Sequence, residues 1–301
     1  MKINGYDFTI GADPEVFVKY QGQLASAYGL IPGTKDTPFP VKDGAVQVDG
    51  MALEFNISPA STQKQFEKNL TSVLSQMTKM VPGYEMFIEP VADFGLDMIK
   101  KQPEEASQLG CSPDFNAYTG KPNPAPAVNT PFRTASGHIH IGWRTDPVDP
   151  YETTHMEACV ALVKALDLYV GTTLCVLDAR YDPGKRRQSL YGRAGAFRPK
   201  SYGLEYRVPS NIWIKSAKTR AFVFGNTIEA IKATFANPEV GETKINNLTA
   251  RQLIDEWDGK FTGQENGAGE LIEGTANPYE IALGEIYEFN NVPSLSKYEA
   301  A

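Results

Sequence analysis

The segment SGHIHIG, residues 136–142, alternates small or apolar residues with imidazoles, and its reading decides the fold. In a β-strand, side chains at i and i+2 point to the same face of the sheet. Ile139 and Ile141 therefore lie on one face, and His138 and His140 on the other. Three further segments repeat the device. In GADPEVF (11–17), Asp13 and Glu15 form the polar pair. In MALEFNISP (51–59), Leu53, Phe55 and Ile57 oppose Glu54 and Asn56. In YGLEYRVPS (202–210), Leu204, Tyr206 and Val208 oppose Glu205 and Arg207. Four strands of this kind predict a sheet with one apolar face packed on helices and one face of carboxylates, imidazoles and a guanidinium. Pro14 in the first of them suggests an edge strand.

If the four polar sides share a face, the gathered acids repel and raise one another's pKa, and divalent cations are the natural relief. Carboxylate oxygens with an occasional imidazole suit Mg2+ or Mn2+ rather than a structural zinc site, which draws on more His or Cys. Each strand alone says little. A lone Asp-x-Glu is a solvated edge more often than a metal site, and His-x-His occurs in amidohydrolases, cupins and plain strands. Only His155 remains for a hydrolase that needs further histidines, and it falls in a predicted helix.

Basic residues crowd one later stretch. Lys185, Arg186, Arg187, Arg193, Arg198, Lys200 and Arg207 place seven bases in 23 residues, with Glu205 the one acid among them. Gly184, Gly192, Gly195 and Gly203 make it a turned loop rather than a helix face. Arginines beside a metal-binding sheet suit a polyphosphate, because guanidinium groups bind phosphate bidentately and neutralise its charge. A nucleic-acid patch fits less well. The whole chain carries a net charge of -7, and no aromatic-interleaved platform is present. P-loop, GxGxxG and GxSxG signatures are absent, so any nucleotide is held in another way.

The chain has 301 residues, 42% of them hydrophobic and 22% charged, a composition that excludes disordered, collagen-like and disulfide-dense classes. Cys111, Cys159 and Cys175 are too few for a disulfide framework and form no CxxC pair, which suits a reducing compartment. The N-terminus lacks the apolar core of a signal peptide, and Lys164 and Asp167 interrupt the most apolar stretch, 159–177, so a cytoplasmic protein with no membrane span is expected. Short strands fill the first 60 residues. Phe66, Leu70, Val73, Leu74, Met77 and Met80 then predict an amphipathic helix with Thr62 and Gln65 in a capping box, ending near Pro82. Six prolines between 101 and 132 predict a long irregular loop that lines a site or crosses over. Helices are expected over about 151–178 and 216–235, with a weaker one near 249–258. One α+β domain over 1–301 follows, its motif-bearing core at about 11–213 and a mainly helical part at about 214–301.

The order DPE, DGxxxEFNISP, SGHIHIG, then an arginine-rich segment closing on GLEYRVPS, resembles the catalytic domain of the glutamine synthetase and glutamate-cysteine ligase superfamily. More closely it resembles the phage-type carboxylate-amine ligases (amidoligases, type 2). The resemblance runs from about Gly11 to Trp213. It implies a glutamine-synthetase-like domain, a twisted, mainly antiparallel sheet with a concave polar face. It also implies an ATP-dependent ligase forming an amide through an acyl phosphate, with Mg2+ or Mn2+ on the ATP phosphates. Carried over, Asp13, His138 and Glu205 form one metal site, and Glu15 and Glu54, with Asp49, the other. His140 lies near the phosphates with Arg186, Arg187 and Lys200. Arg193 or Arg198 steadies the transferred phosphoryl group, and Arg207 meets phosphate or the substrate carboxylate. Asp13 departs from the family in being shorter than the usual Glu, and the first motif leaves no room for an N-terminal β-grasp domain. The implied partners are a small-molecule or peptide carboxylate and an amine; general nucleic-acid or membrane binding is not expected, and oligomeric state is open. A metal-dependent hydrolase or phosphotransferase on the same surface, or an inactive binding protein keeping the fold, are the rival readings.

Overall fold

The computed structural model describes residues 1–107, 114–124, 130–236 and 247–256. A short hairpin, β1 (Lys2–Ile3) and β2 (Tyr6–Asp7), precedes β3 (Thr9–Tyr20), which is 12 residues long. Then come β4 (Gln23–Ala25), β5 (Phe39–Val41), β6 (Gly44–Asp49) and β7 (Ala52–Ile57), and after the first helix β8 (Tyr84–Phe87) and β9 (Val91–Asp93). Later strands are β10 (Phe115–Asn116), β11 (Lys121–Pro122), β12 (Phe132–Thr134), β13 (Gly137–Gly142), β14 (Ala196–Lys200) and β15 (Gly203–Tyr206). One antiparallel sheet runs β11-β10-β14-β15-β13-β3-β7-β6-β5, with β4 and β8 also pairing β3, and β12 pairs β9 apart from it.

The long strand β3 is central, not an edge. Its first half pairs β13, from Thr9↔Gly142 to Gly137↔Pro14, and its second half pairs β8 and β4. Pro14 is accommodated because it pairs with Gly137 on the β13 side alone; the ladder to β7 starts one residue later, at Glu15↔Glu54. A missing N–H there breaks no rung.

The apolar face is covered by helices. α1 (Gln63–Met80) starts where Thr62 Oγ1 accepts from Gln65 N at 3.2 Å, and it buries Phe66, Leu70, Val73 and Met77. α2 (Leu96–Lys100) lies just before the proline-rich region, and α3 (Glu104–Ser107), β10 and β11 lie within it, so that region is not loop alone. Next, α4 (Thr153–Leu166), a π-turn (Asp167–Gly171) and α5 (Thr172–Ala179) form one continuous helix, capped by Glu152 accepting from Thr154 N and His155 N. α6 (Arg186–Leu190), α7 (Ala217–Phe235) and α8 (Asn247–Glu256) are the remaining α-helices among the described residues, and the expected helix at 249–258 runs outside the described residues at its end. α1 packs on β7, α4 on β15, and α7 on both helices. The helix Thr153–Ala179 is long and apolar enough by length and composition to cross a membrane, contrary to the expectation from Lys164 and Asp167, but 67% of its most apolar window is buried inside the protein.

The π-turn coincides with a buried polar contact. It directs the buried Asp167 at the back of the sheet, where its carboxylate accepts from Tyr206 Oη and Gly195 N, both at 2.7 Å. Gly171 faces the same hydroxyl, and a Cβ there would lie 2.3 Å from it. Burial pushes the Asp167 carboxyl up to about 7 against these hydrogen bonds. Cys159 and Cys175 are buried free thiols, both pushed up to about 12 by burial, and Cys111 lies outside the described residues.

One core cluster runs from Ile3 to Ile254 and joins residues of the sheet to those of the helices. It is pinned at the start of β13, where Trp213 Nε1 donates to Gly137 O at 2.9 Å. A Cβ on Gly137 would sit 2.5 Å from that nitrogen and 2.6 Å from Ser210 O. Gly137→Ala is therefore expected to lower unfolding free energy by about 1–3 kcal/mol, the range for forcing extra volume into a packed core. Urea titration of the two proteins measures it, and an unchanged midpoint would show that Trp213 can retreat without loss.

Candidate active site

The registers decide which polar side chains meet. His138 stands opposite Asp13, and His140 stands between Gly11 on β3 and Glu205 on β15. Glu15 faces Glu54 across β3 and β7, Gln47 faces Glu54 from β6, and Arg198 faces Glu205 from β14. Directly opposed residues of an antiparallel pair share a face. The four polar pairs read from the sequence thus lie on one side of a single sheet.

At its centre, His138 Nδ1 is 3.3 Å from Asp13 Oδ1 and 3.4 Å from Glu205 Oε1. One ligand atom from each of these three residues lies within 4.8 Å of the others. Asp13 Oδ1 is buried with no hydrogen-bond partner. An O, N, O donor set with an orphaned carboxylate oxygen fits a hard divalent cation. Glu205 is also clothed in bases. Lys200 Nζ is 2.7 Å and Arg198 Nη1 3.4 Å from its Oε2, and Arg207 Nη1 donates to its Oε1 while standing 3.5 Å from His138 Nδ1. Arg207 is buried, and its Nε is 3.5 Å from Asp114 Oδ2.

The charges follow. Burial would raise Asp13, but the imidazoles of His140 and His138 outweigh it and hold the carboxyl far below the usual range. Glu205 is likewise held low, burial being overcome chiefly by Arg207. Burial and then the Arg207 charge lower His138. His140 moves up: burial opposes this, but Asp13, with Oδ2 at 2.9 Å from Nε2, dominates. Its Nδ1 is 2.5 Å from Tyr202 Oη.

A second acidic pair lies toward β7. Glu15 accepts from Ser136 N at 2.7 Å, and Glu54 from Gln47 Nε2 at 2.7 Å. Asp49, on β6, is held by Lys35 Nζ at 2.8 Å. Burial and the charge of Asp49 push Glu15 up to about 8, and burial with Asp13, Asp49 and Glu15 pushes Glu54 well above the usual range. These three share the face without closing into a set as tight as the first.

Other sequence-selected bases point elsewhere. Arg187 is buried and taken up by structure, donating to the carbonyls of Val208, Arg207 and Pro209 and to Ser136 Oγ. Arg186 pairs with Asp93 at 2.8 Å and Asp182 at 3.2 Å, and Arg193 is exposed on the side of Asp255. A dense basic run in sequence does not aim its members together, because the α6 turn and the loop before β14 send alternate residues to opposite sides. Arg198 and Lys200 reach the face because they occupy alternate positions of β14.

Two cavities flank the Asp13 row. The larger, about 730 Å³, is lined by Asp13, Glu54, His140, Arg144 and Tyr202, with Ile57 and Pro59 among its apolar walls. The smaller, about 60 Å³, is lined by Glu15, Asp49, Ser136, His138 and Arg207, and by Arg133. Lys35 lines both. The sequence reading did not single out Lys35, Gln47, Tyr202 or Arg133. For Arg133 a signal existed: no acid occurs between Asp114 and Asp146.

A family model described as phage phiEco32-like COOH.NH2 ligase-type 2 matches residues 130–236, which span β12 to β15 and the helices through α7. It is the family the motif order resembles. Among solved structures, a bifunctional glutathione synthetase from Pasteurella multocida is similar at 13% identity and a TM-score of 0.44. The alignment covers 96% of this chain and 45% of that one, so this chain spans less than half of its length, and at this similarity the likeness decides nothing further. Among curated proteins none matches.

Glu15 gives a pH prediction. Its folded pKa is raised from an ordinary 4.5 to about 8, so the folded state holds the proton more tightly than the unfolded state. That stabilising contribution is complete below about 4.5 and is lost as pH rises through about 8. In metal-free buffer the wild-type denaturation midpoint is expected to fall progressively between about pH 5 and about 8, and Glu15→Gln to flatten that fall. Parallel slopes for the two proteins over this window would contradict it.

Proposed function

We propose that the chain is an ATP-dependent carboxylate-amine ligase, a single catalytic domain over 1–301 with a glutamine-synthetase-like architecture. The observation that carries this reading is the convergence of Asp13, His138 and Glu205 from three adjacent strands beside a large cleft, inside and next to the segment that matches a ligase family. ATP occupies the larger cleft with its phosphates toward His140, Arg198 and Lys200, and the acid and amine approach from the smaller cavity. Asp13, His138 and Glu205 would hold one divalent ion, Mg2+ or Mn2+, and Glu15 and Glu54, with Asp49, a second. Bound ions of this kind neutralise phosphate oxygens and so lower the barrier to attack by an anion.

The chain's own residues do the rest. Arg198 and Lys200, fixed on β14, bring positive charge to the transferred phosphoryl group, which suits a reaction that is mostly positioning and charge stabilisation. Displaced from Glu205, the Arg207 guanidinium can meet a carboxylate or phosphate oxygen. A substrate carboxylate oxygen attacks the γ-phosphorus, releasing ADP. The amine nitrogen then attacks the acyl carbon of the mixed anhydride, phosphate leaves, and an amide remains. Arg186, Arg187 and Arg193, whose guanidinium groups lie off the face, are left out of this scheme. The buried packing of the Thr153–Ala179 helix supports a cytoplasmic setting, the host cytoplasm if the chain is phage-encoded. The net charge of -7 supports small-molecule or peptide substrates over nucleic acid.

The test is ADP release coupled to a mass-spectrometric screen for amide products. Sustained release is expected only with both a carboxylate and an amine present. Asp13→Asn and Glu205→Gln should each lower turnover by about a hundredfold or more, since each leaves the cluster short of a charged ligand. Product formed without nucleotide would point to a hydrolase, and intact function in both variants to a binding protein.

A further inference from the structure

Of the three histidines in the chain, His155 alone lies off the active-site face. It sits in the first turn of α4, which packs on β14 and β15, and it has no exposed surface. Its Nε2 is 3.0 Å from Lys200 O and 3.1 Å from Gly203 O. Carbonyl oxygens only accept, so Nε2 carries the proton and shares it between the two. Nδ1 is then an acceptor, and it is buried with no hydrogen-bond partner. The ring stacks on Trp143, with centroids 5.3 Å apart. An apolar side chain would occupy this space without burying an unpaired polar atom, so what the imidazole adds is its bond to the two carbonyls.

Those carbonyls flank a tight turn. Lys200 and Gly203 are partners in the β14–β15 ladder, with Ser201 and Tyr202 between them. Ser201 O accepts from Val148 N at 3.1 Å, and Tyr202 O from Trp143 N at 3.0 Å and Arg144 N at 3.2 Å. All four carbonyls from 200 to 203 are thus held from outside the hairpin. His155 supplies the nitrogen donor for the outer two, and Cys159 Sγ adds a weak contact to Gly203 O at 3.7 Å. Held in this way, the turn delivers Tyr202 into the larger cleft, where the residue is 39% exposed and its Oη is 2.5 Å from His140 Nδ1. A displacement of about 1 Å at the turn takes such a contact out of hydrogen-bond range.

We propose that His155 is a positioning residue: its hold on Lys200 O and Gly203 O keeps Tyr202 in the wall of the larger cleft, where Tyr202 contacts the nucleotide beside His140. This rests on the ligase reading above, which puts ATP in that cleft. His155 touches no substrate. It acts through the backbone of the turn, and the ring of Tyr202 goes where that backbone is fixed.

Calorimetric titration of the full chain with a non-hydrolysable ATP analogue and Mg2+ tests it. Tyr202→Ala is expected to weaken analogue binding about tenfold, the scale of one lost polar contact. His155→Phe, which keeps an aromatic ring and removes the donor, should weaken it about as much, and His155→Gln, whose amide can donate to both carbonyls, should restore affinity to within about threefold of the wild type. In the Tyr202→Ala background, His155→Phe should cost less than about a further twofold, because two residues that act as one unit are not additive. Wild-type affinity in His155→Phe, a glutamine variant as weak as the phenylalanine one, losses that multiply in the double variant, or no analogue binding by the wild type would overturn the proposal. The second and third of these are what a general loosening of the fold produces. Should His155→Phe fail to fold, His155→Asn takes its place with the same expectations, since its shorter amide stops short of the carbonyls. Analogue binding that follows the expected pattern without nucleotide-dependent amide formation would remove the ligase reading and keep the role of His155. Amide formation with wild-type nucleotide affinity in every His155 variant would do the reverse.

Discussion

Everything at the site depends on the register of β13 between β3 and β15. With His138 opposite Asp13 and His140 opposite Glu205, every second residue of three strands falls on one face. A slip of one residue would send the imidazoles into the helical core and Ile139 and Ile141 into the cleft. The register is fixed from both sides of the sheet: isoleucines with no exposed surface lock it behind, and the indole of Trp213 grips the carbonyl of Gly137 at its start.

The electrostatics divide along the same rows. Toward β15, acids alternate with imidazoles and bases, so Asp13 and Glu205 stay ionised. Toward β7, Glu15 and Glu54 oppose each other, with Lys35 held by Asp49 as the nearby base, so both favour the protonated form. One sheet face thus presents a charged half and a half that takes up charge when a cation draws its protons away. That gradient comes from which strands are neighbours: β13 and β14 bring imidazoles and bases beside Asp13 and Glu205, whereas β7 sets a second glutamate against Glu15.

Much of this could be read from the chain before any coordinates. Alternation told strands from helices, and the polar pairs in 11–17, 51–59, 136–142 and 202–210 named the side chains that share the face. Thr62 and the apolar spacing after it located α1 within a residue at its start. What sequence could not tell was strand order and direction of approach. Pro14 looked like an edge because proline usually avoids central strands, and only the staggered start of the β7 ladder shows why it is tolerated. The basic run looked like one phosphate-facing loop, whereas Arg187 is spent on backbone carbonyls and Arg186 on Asp93 and Asp182.

The 12 residues of β3 run unbroken past both halves of the face, contributing Asp13 to one and Glu15 to the other. Because a single stretch of backbone carries both, the spacing between the two acidic groups is set by peptide geometry rather than by a hinge or an interface. An arriving ligand meets a ruler of fixed length, and the entropy of arranging these side chains is spent when the chain folds rather than at each encounter.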